Sequence, residues 1–561
     1  MKRRILERCT AKSLLACMLT LTLPAMAADQ PGGNESSESR PATNTSEIEQ
    51  LKKMLADQQR QIDELRRALS DKNDAPASVH PSAGQVASTT PILPPAPAPA
   101  AAPAFHPVSI APPQAKSDSE SSPLQFKLGD AYFTPVGFMD MTSVTRSTNA
   151  ASGIGTNFGS IPYNNTQAGA LTEWRLSPQN SRLGMRIDAL VKGWKVLGYW
   201  ESDFLGQLGN PPNGGLSVSS DPFVFRMRLY WVDLKKGSSE FLAGQTWSLM
   251  TPGRKGISPL PGDIFYSQDI DVNYQNGLVW GRIPEFRYVY HASDKVALGF
   301  ALSNSEPYIG GGNGGSAVVL PTAFSGLSGS QLNGGNSVIS TPALHPDIIA
   351  KVAFDPNSKV HFEIAGVEIT NKIANPGSGV SPAFGTHTKA GGGGSVNLNV
   401  EVAKGFRLVT NNFWSDGGGR YIFGQAPDFL IRGNGDISLV HSASTVTGFE
   451  ATVGKTLFYG YYGGVYIGKN LAFDADGKTR IGYGPIANDG QNRATQEATF
   501  GTNTTLMRDS KWGGVNLMFQ YSYLQRNPWL VTGTSPTDAH VHMGFVNLRY
   551  TLPGSAPTLG K

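Results

Sequence analysis

Five arginines could give this chain an affinity for anions. Each lies on the polar side of a segment in which apolar and polar residues alternate: Arg182, Arg186, Arg226, Arg228 and Arg287. A guanidinium group stays charged and presents paired donors that match a carboxylate. A cluster of such groups in a narrow, water-filled passage would favour small anions. The alternative is that they only pair with Asp188, Glu201 and Asp203, and the sequence leaves both open.

Three acidic residues lie in a connector that could narrow such a passage. The connector from 250 to 282 contains Asp263, Asp269 and Asp271, and it is also rich in Gly, Pro and aromatic residues. A loop in contact with solvent seldom carries so many aromatic side chains, because their apolar surface favours burial. We therefore expect this connector to fold inward and form a constriction opposite the arginines.

No other chemistry is supported by residue spacing. His540 and His542 share one side of a segment, but two ligands do not make a metal site. Asp474 and Asp476 precede Gly477 without the other ligands of a calcium loop, so they indicate a turn. Neither a positioned nucleophile and base nor a phosphate-binding loop is recognisable. We predict no enzymatic activity, metal or cofactor, and the formal net charge of +4 does not suggest nucleic acid binding.

The elements that must position these residues are sixteen short amphipathic segments. In the segment 182–188, charged and apolar residues alternate with the period of two that is typical of a β-strand. The predicted strands are 131–146, 180–190, 194–205, 222–235, 240–250, 282–291, 295–304, 347–354, 359–370, 394–403, 406–416, 438–453, 457–469, 492–507, 511–525 and 538–552.

The connectors between these segments alternate between long and short. The short ones are 191–193, 236–239, 292–294, 355–358, 404–405, 454–456 and 508–510. A closed antiparallel barrel in a bilayer has tight turns at one rim and extended loops at the other. Aromatic residues recur beside the short turns, as in a headgroup-level girdle: Trp194, Phe241, Phe354, Phe406, Phe458 and Trp512. The sequence therefore predicts an all-β protein, a sixteen-stranded antiparallel transmembrane β-barrel over 128–552 with an aqueous lumen.

The chain before the barrel predicts three further regions. Residues 1–27 have the charged, apolar and small-residue parts of a signal peptide, with lipoprotein cleavage before Cys17 as the alternative. Residues 46–72 have the heptad spacing of a short N-terminal coiled-coil helix, or alternatively of an amphipathic surface helix. Residues 75–127 are a Pro/Ala-rich linker that would be extended, and residues 553–561 form a C-terminal tail.

Several motifs resemble those of the DcaP-like trimeric porins of Gram-negative outer membranes. They are 181–184 (SRLG), 225–230 (FRMRLY) and 244–248 (GQTWS), and the order of coiled coil, linker and barrel adds to the resemblance. The resemblance implies a homotrimer in the cell outer membrane, a periplasmic coiled coil, and uptake of small anionic solutes such as dicarboxylates. The chain departs from the family at its end, where eleven residues follow Tyr550 instead of a terminal aromatic residue.

Together these observations predict an outer-membrane porin for passive diffusion of small hydrophilic solutes, with a preference for anions. Its expected partners are small anionic solutes, outer-membrane lipid and further copies of the chain. The alternative is a structural barrel that tethers the outer membrane to the cell wall through its coiled coil. A tether does not need a charged lumen, so the arginines favour transport.

Overall fold

The structure is a computed structural model. It describes residues 60, 122–150, 152–206, 223–265, 268–312, 315–333, 342–376, 385–486, 490–530 and 539–554. The predicted signal peptide, the coiled coil apart from residue 60, most of the linker and the tail beyond 554 lie outside these residues. Within the described ranges, no helix is both long enough and apolar enough to cross a membrane.

Sixteen antiparallel strands form the barrel, and we number them in chain order. They are β1 (Ala131–Arg146), β2 (Glu173–Ser177 and Arg182–Val191), β3 (Trp194–Gly206), β4 (Val224–Lys236), β5 (Ser239–Trp247), β6 (Arg282–Ser293), β7 (Val296–Ser303), β8 (Asp347–Asn357), β9 (Val360–Ala374), β10 (Thr386–Ala403), β11 (Phe406–Asp416), β12 (His441–Val453), β13 (Thr456–Ile467), β14 (Asn492–Asp509), β15 (Gly513–Pro528) and β16 (Ala539–Thr551).

The barrel closes between its first and last strands. Each strand pairs with its neighbours in sequence, and β1 also pairs with β16, from Phe138 opposite Thr551 to Arg146 opposite Met543. Both pieces of β2 pair with β1. Closure leaves no free sheet edge, so backbone groups that face hydrocarbon have partners within the barrel. The predicted fold class is confirmed.

The predicted strands and the sorting of the turns agree with the structure, although several strand ends differ by a few residues. Two of these differences have a clear cause in the strand pairing. β10 begins at Thr386 instead of residue 394, because the glycine run 391–394 continues the pairing with β9. β12 begins at His441 instead of residue 438, because Ile437–Leu439 pairs with Phe429–Ile431 in a separate hairpin. The strand Phe126–Leu128, at the end of the predicted linker, pairs with the start of β1.

The two faces of the wall have opposite character. Met139, Phe225 and Phe286 are 59%, 50% and 72% exposed on the outer face. Polar and charged side chains such as Asn397 and Glu363 are buried on the inner face. An apolar exterior and a polar interior suit a barrel with hydrocarbon outside and water inside. The fold therefore carries the chain across a membrane by its strands.

A β-bulge changes the predicted alternation in β4. A strict alternation would place Leu229 on the outer side with Phe225 and Met227, but Leu229 is fully buried. The register between β3 and β4 shifts at this point, so that Arg228 is an extra residue in the ladder. A bulge of this kind redirects side chains. As a result Arg228 and Leu229 are both buried, and Tyr230 takes the outer side.

Candidate pore constriction

The long connector between β5 and β6, residues 248–281, lies inside the barrel, and we call it L3. Its backbone amides donate hydrogen bonds to inward side chains of distant strands. Gly253 N donates to Glu363 on β9 (3.0 Å), Asn276 N to Glu497 on β14 (2.9 Å), and Ile270 N to Gln520 on β15 (2.6 Å). A loop without regular structure must satisfy its buried amides elsewhere, and here the wall provides the acceptors.

An ion pair joins L3 to the far wall. Both terminal nitrogens of Arg254 donate to the carboxylate of Glu450 on β12, at 3.0 and 2.7 Å. Tyr461 on β13 donates its hydroxyl to the same carboxylate (2.8 Å). On β8, Lys351 Nζ donates to the carbonyl oxygen of Thr251 (2.7 Å). The contacts with β12 and β13 hold the first part of L3 across the barrel from its own attachment.

Apolar side chains also hold L3 in place. Phe265, Leu278 and Val279 are fully buried. The Trp280 ring stacks on Phe423 of the 417–440 connector, with centroids 4.5 Å apart. Burial of this apolar surface accounts for the aromatic content of L3, whose described residues include one short 3₁₀ helix, Pro261–Asp263, and no strand.

Three of the predicted arginines come together on the wall beside L3. Arg228 donates to Glu201 (2.8 Å) and to Asp203 (2.6 Å) on β3. Arg226 binds Asp203 through Nε (3.0 Å) and Nη2 (2.7 Å), and Arg182 on β2 lies 3.6 Å from Glu201. These three arginines therefore form ion pairs with Glu201 and Asp203, two of the three carboxylates named as their alternative partners in the sequence analysis. Arg228 is almost fully buried, whereas the Arg226 side chain is 38% exposed.

A tyrosine of L3 completes this group. The Tyr274 hydroxyl accepts hydrogen bonds from Arg182 (3.4 Å) and Arg228 (3.3 Å). Tyr274 has a φ of 64°, a left-handed conformation that is uncommon for a residue other than glycine. Burial favours the neutral phenol, but Arg182 and Arg228 outweigh burial and lower the pKa of Tyr274 to about 8. In mild alkali the Tyr274 hydroxyl therefore ionises and adds a negative charge beside these arginines.

Sequence reasoning missed Arg282, the first residue of β6. Its guanidinium lies 5.5 Å from the centroid of the Trp247 ring and 5.2 Å from that of Trp280. Among the described residues, Arg282 forms no ion pair, and its Nη1 is buried without a hydrogen-bond partner. A cation can be held over aromatic faces without losing its charge. The only signal in the sequence was an arginine two residues after a tryptophan at the end of a long connector.

We call Arg182, Arg226, Arg228 and Arg282 the arginine cluster. Among the described residues, its four positive charges face two carboxylates, those of Glu201 and Asp203, which leaves a net formal charge of +2. The excess charge lies next to L3. Such an arrangement attracts anions and repels cations of similar size.

The other two predicted arginines lie apart from this cluster. Arg186 forms a bidentate pair with Asp188 on the same strand, at 2.8 and 2.9 Å. Arg287 on β6 pairs with Glu285 (2.8 Å) and donates to the carbonyl oxygen of Trp247, and its side chain is only 3% exposed. Each is thus matched by a carboxylate of its own, and neither adds net charge to the cluster.

Two of the three aspartates of L3 accept hydrogen bonds from groups outside the arginine cluster. Asp263 accepts a hydrogen bond from Ser258 (2.8 Å), and burial raises its pKa. Asp271 accepts from the backbone amides of Thr156 (3.1 Å) and Asn273 (2.9 Å), and burial raises its pKa as well. Asp269 lies close enough to Glu497 to interact with it electrostatically. Asp263 and Asp271 therefore organise the loop, because short carboxylates readily accept from nearby amides.

Comparison with known proteins gives a match at the level of the fold. No protein-family model matches the chain, and no curated protein does. The crystal structure of the outer membrane channel DcaP of Acinetobacter baumannii matches with a TM-score of 0.53 and 14% identity, over 76% of this chain and 99% of that chain.

Two further solved structures have lower scores. The anion-selective porin from Comamonas acidovorans matches at 15% identity over 75% of this chain and 99% of that chain, with a TM-score of 0.40. Pseudomonas putida OprB matches at 12% identity over 74% and 94%, also with a TM-score of 0.40. Identities this low establish the fold alone. The chain has the barrel fold of the DcaP outer membrane channel, the fold that its sequence motifs implied.

Proposed function

We propose that the chain is an outer-membrane porin through which small hydrophilic solutes diffuse passively, with a preference for anions such as dicarboxylates. The observation that carries the proposal is the arginine cluster beside L3, with a net charge of +2 inside a closed barrel. A sixteen-stranded barrel is wide enough for an aqueous lumen, so L3 is what narrows the passage.

Arg226 and Arg282 are the two members of the cluster that we assign to solute contact. Arg226 keeps 38% of its side chain exposed although it binds Asp203. Arg282 has no carboxylate partner in the described part of the chain. A guanidinium group binds a carboxylate through two parallel hydrogen bonds, and two such groups suit a solute with two carboxylates. Arg182 and Arg228 lie deeper and would set the local potential together with Glu201.

The assembly belongs to the proposal as well. A homotrimer in the outer membrane, with outer-membrane lipid around it and residues 46–72 as a coiled coil in the periplasm, fits the heptad spacing. The coiled coil could also contact the cell wall. The second candidate function, a barrel that tethers the outer membrane to the cell wall, is favoured by this coiled coil and its long Pro/Ala-rich linker.

Solute flux into liposomes tests the proposal. Vesicles that contain the purified barrel should swell faster in succinate than in 1,4-diaminobutane, since the two solutes have similar length and opposite charge. Faster swelling in the diamine would contradict the anion preference. No swelling by barrels that are folded, as judged by heat-modifiable migration on gels, would favour the tether.

A second variant separates the two candidates. Deletion of residues 46–114 removes the coiled coil and most of the linker but leaves the barrel. A porin should keep its succinate flux after the deletion, whereas a tether should lose envelope integrity in cells. Retained integrity with retained flux would contradict the tether.

A further inference from the structure

A second long connector contacts the end of L3. It joins β11 to β12 over residues 417–440, and we call it L6. The backbone amide of Trp280 in L3 donates to the carbonyl oxygen of Tyr421 (3.2 Å), and Trp280 pairs with Ile422 in a short parallel bridge. The side chains of Tyr421 and Ile422 are almost fully buried. L3 is therefore attached not only to the wall but also to a connector from another part of the barrel.

Phe423 makes the side-chain contact between the two connectors. Its ring stacks on that of Trp280, with centroids 4.5 Å apart and planes inclined by 19°. On L6 it also meets Phe158 of the β1–β2 connector, at 6.2 Å between centroids. Phe423 has a φ of 52°, a left-handed conformation that a residue other than glycine keeps only where the surrounding contacts determine it. The position of this ring is therefore set by tertiary contacts.

L6 is held in place by contacts that do not involve L3. The guanidinium of Arg420 donates to the carboxylates of Asp428 (2.6 Å) and Asp347. The Tyr421 hydroxyl donates to Asp347 as well (2.8 Å). Asp347 is the first residue of β8, and both carboxylates are fully buried. Because these bonds anchor the backbone on the N-terminal side of Phe423, a substitution of that side chain should leave L6 in place.

The Trp280 ring that Phe423 contacts also carries Arg282. The guanidinium of Arg282 lies over this ring, 5.2 Å from its centroid, and the rings of Trp247 and Tyr274 pack against Trp280 at 5.8 and 5.2 Å. Arg282 forms no ion pair among the described residues, so ring faces are what orient it. The attraction between a cation and a ring depends on the cation lying over the ring face. Loss of the Phe423 ring should therefore let Trp280 turn and Arg282 move with it.

We propose that Phe423 is a positioning residue for Arg282, so that L6 helps to set the preference of the pore for anions. Phe423 acts through Trp280, and its own ring is not assigned to solute contact. The ring is 9% exposed, which suits a supporting role behind the guanidinium. The link to ion preference rests on the proposed function, but the position of Arg282 can be followed without conduction.

A double-mutant cycle of reversal potentials tests this role in full-length, heat-modifiable barrels. Phe423→Leu should lower the ratio of anion to cation permeability in the same direction as Arg282→Gln and by no more than that variant. Phe423→Tyr keeps the ring and should keep the ratio. Phe429→Leu is the control, because Phe429 is a fully buried ring of L6 that contacts no ring of L3 among the described residues. In the Arg282→Gln background, Phe423→Leu should have no further effect. An equal effect in both backgrounds, or from Phe429→Leu, would overturn the proposal.

Titration of Tyr274 gives a second readout that needs no conduction. Burial raises the pKa of Tyr274, but Arg182, Arg228 and Arg282 outweigh burial and lower this pKa to about 8. Displacement of Arg282 in Phe423→Leu should move the midpoint of tyrosinate absorbance upward, measured as the difference from the same protein with Tyr274→Phe. Looser packing alone would move the midpoint downward, because hydration favours the charged form.

A midpoint that stays the same or falls in Phe423→Leu would overturn the proposal, as would an equal rise in Phe429→Leu. A raised midpoint in a barrel that prefers cations or is silent would refute the proposed function and still support the positioning of Arg282 by Phe423.

Discussion

Substitution of Arg282 by Gln should weaken anion preference without unfolding the barrel. Arg282 has aromatic neighbours at 5.5 and 5.2 Å and no ion pair in the described chain, so its loss leaves no carboxylate without a partner. The net formal charge of the arginine cluster falls from +2 to +1. One unit charge about 8 Å from an ion changes its energy by about 0.5 kcal/mol in water, and screening at 0.1 M salt roughly halves this.

The expected magnitude follows because the change acts with opposite sign on anions and cations. The ratio of anion to cation permeability should fall about two- to fivefold. The assay is the reversal potential in a planar bilayer under a potassium chloride gradient. Arg493→Gln is the control, since Arg493 is an exposed residue on β14 with the same charge. An unchanged reversal potential for Arg282→Gln, or an equal shift for Arg493→Gln, would refute the reasoning.

Further predictions concern the other residues of the arginine cluster and of L3. Arg228→Met should destabilise the barrel by about 3–5 kcal/mol, because it leaves Glu201 and Asp203 buried without this partner. Arg226→Met should lower the stability of the barrel by less, because the partially exposed Arg226 side chain is screened by water. The midpoint temperature of the heat-modifiable shift in gel migration compares the two variants. Arg254→Gln should release L3 from Glu450 and raise single-channel conductance by tens of per cent, and unchanged conductance would count against L3 as the constriction. Between pH 7 and 9 the wild type should lose anion preference as Tyr274, with a pKa of about 8, becomes negative; Tyr274→Phe should abolish this pH dependence of the reversal potential.

Most of the fold could be predicted because its signals are local. Alternation along each strand and tight turns such as 454–456 are readable in a short window. The misplaced ends of β10 and β12 depended on tertiary pairing instead. The glycine run 391–394 has no side chains to alternate, and its strand structure comes from the pairing with β9. The β-bulge at Arg228 shifted the faces of β4, and a one-residue insertion leaves no composition signal.

The candidate site was predictable only where strands determine it. Arg182, Arg226 and Arg228 come together because they lie on inward positions of β2 and β4 and share carboxylates of β3 between them. Arg287 is separate because Glu285 on its own strand neutralises it. Arg282 and Tyr274 depend on the path of L3 across the barrel, which is set by contacts between residues far apart in sequence. Such contacts cannot be read from spacing.

The reversal potential of the wild-type protein in a planar bilayer under a salt gradient tests the central claim most directly. We predict stepwise conductance with a reversal potential on the anion-selective side. A reversal potential on the cation side would contradict the role of the arginine cluster. Silence from inserted, heat-modifiable barrels would contradict the porin itself.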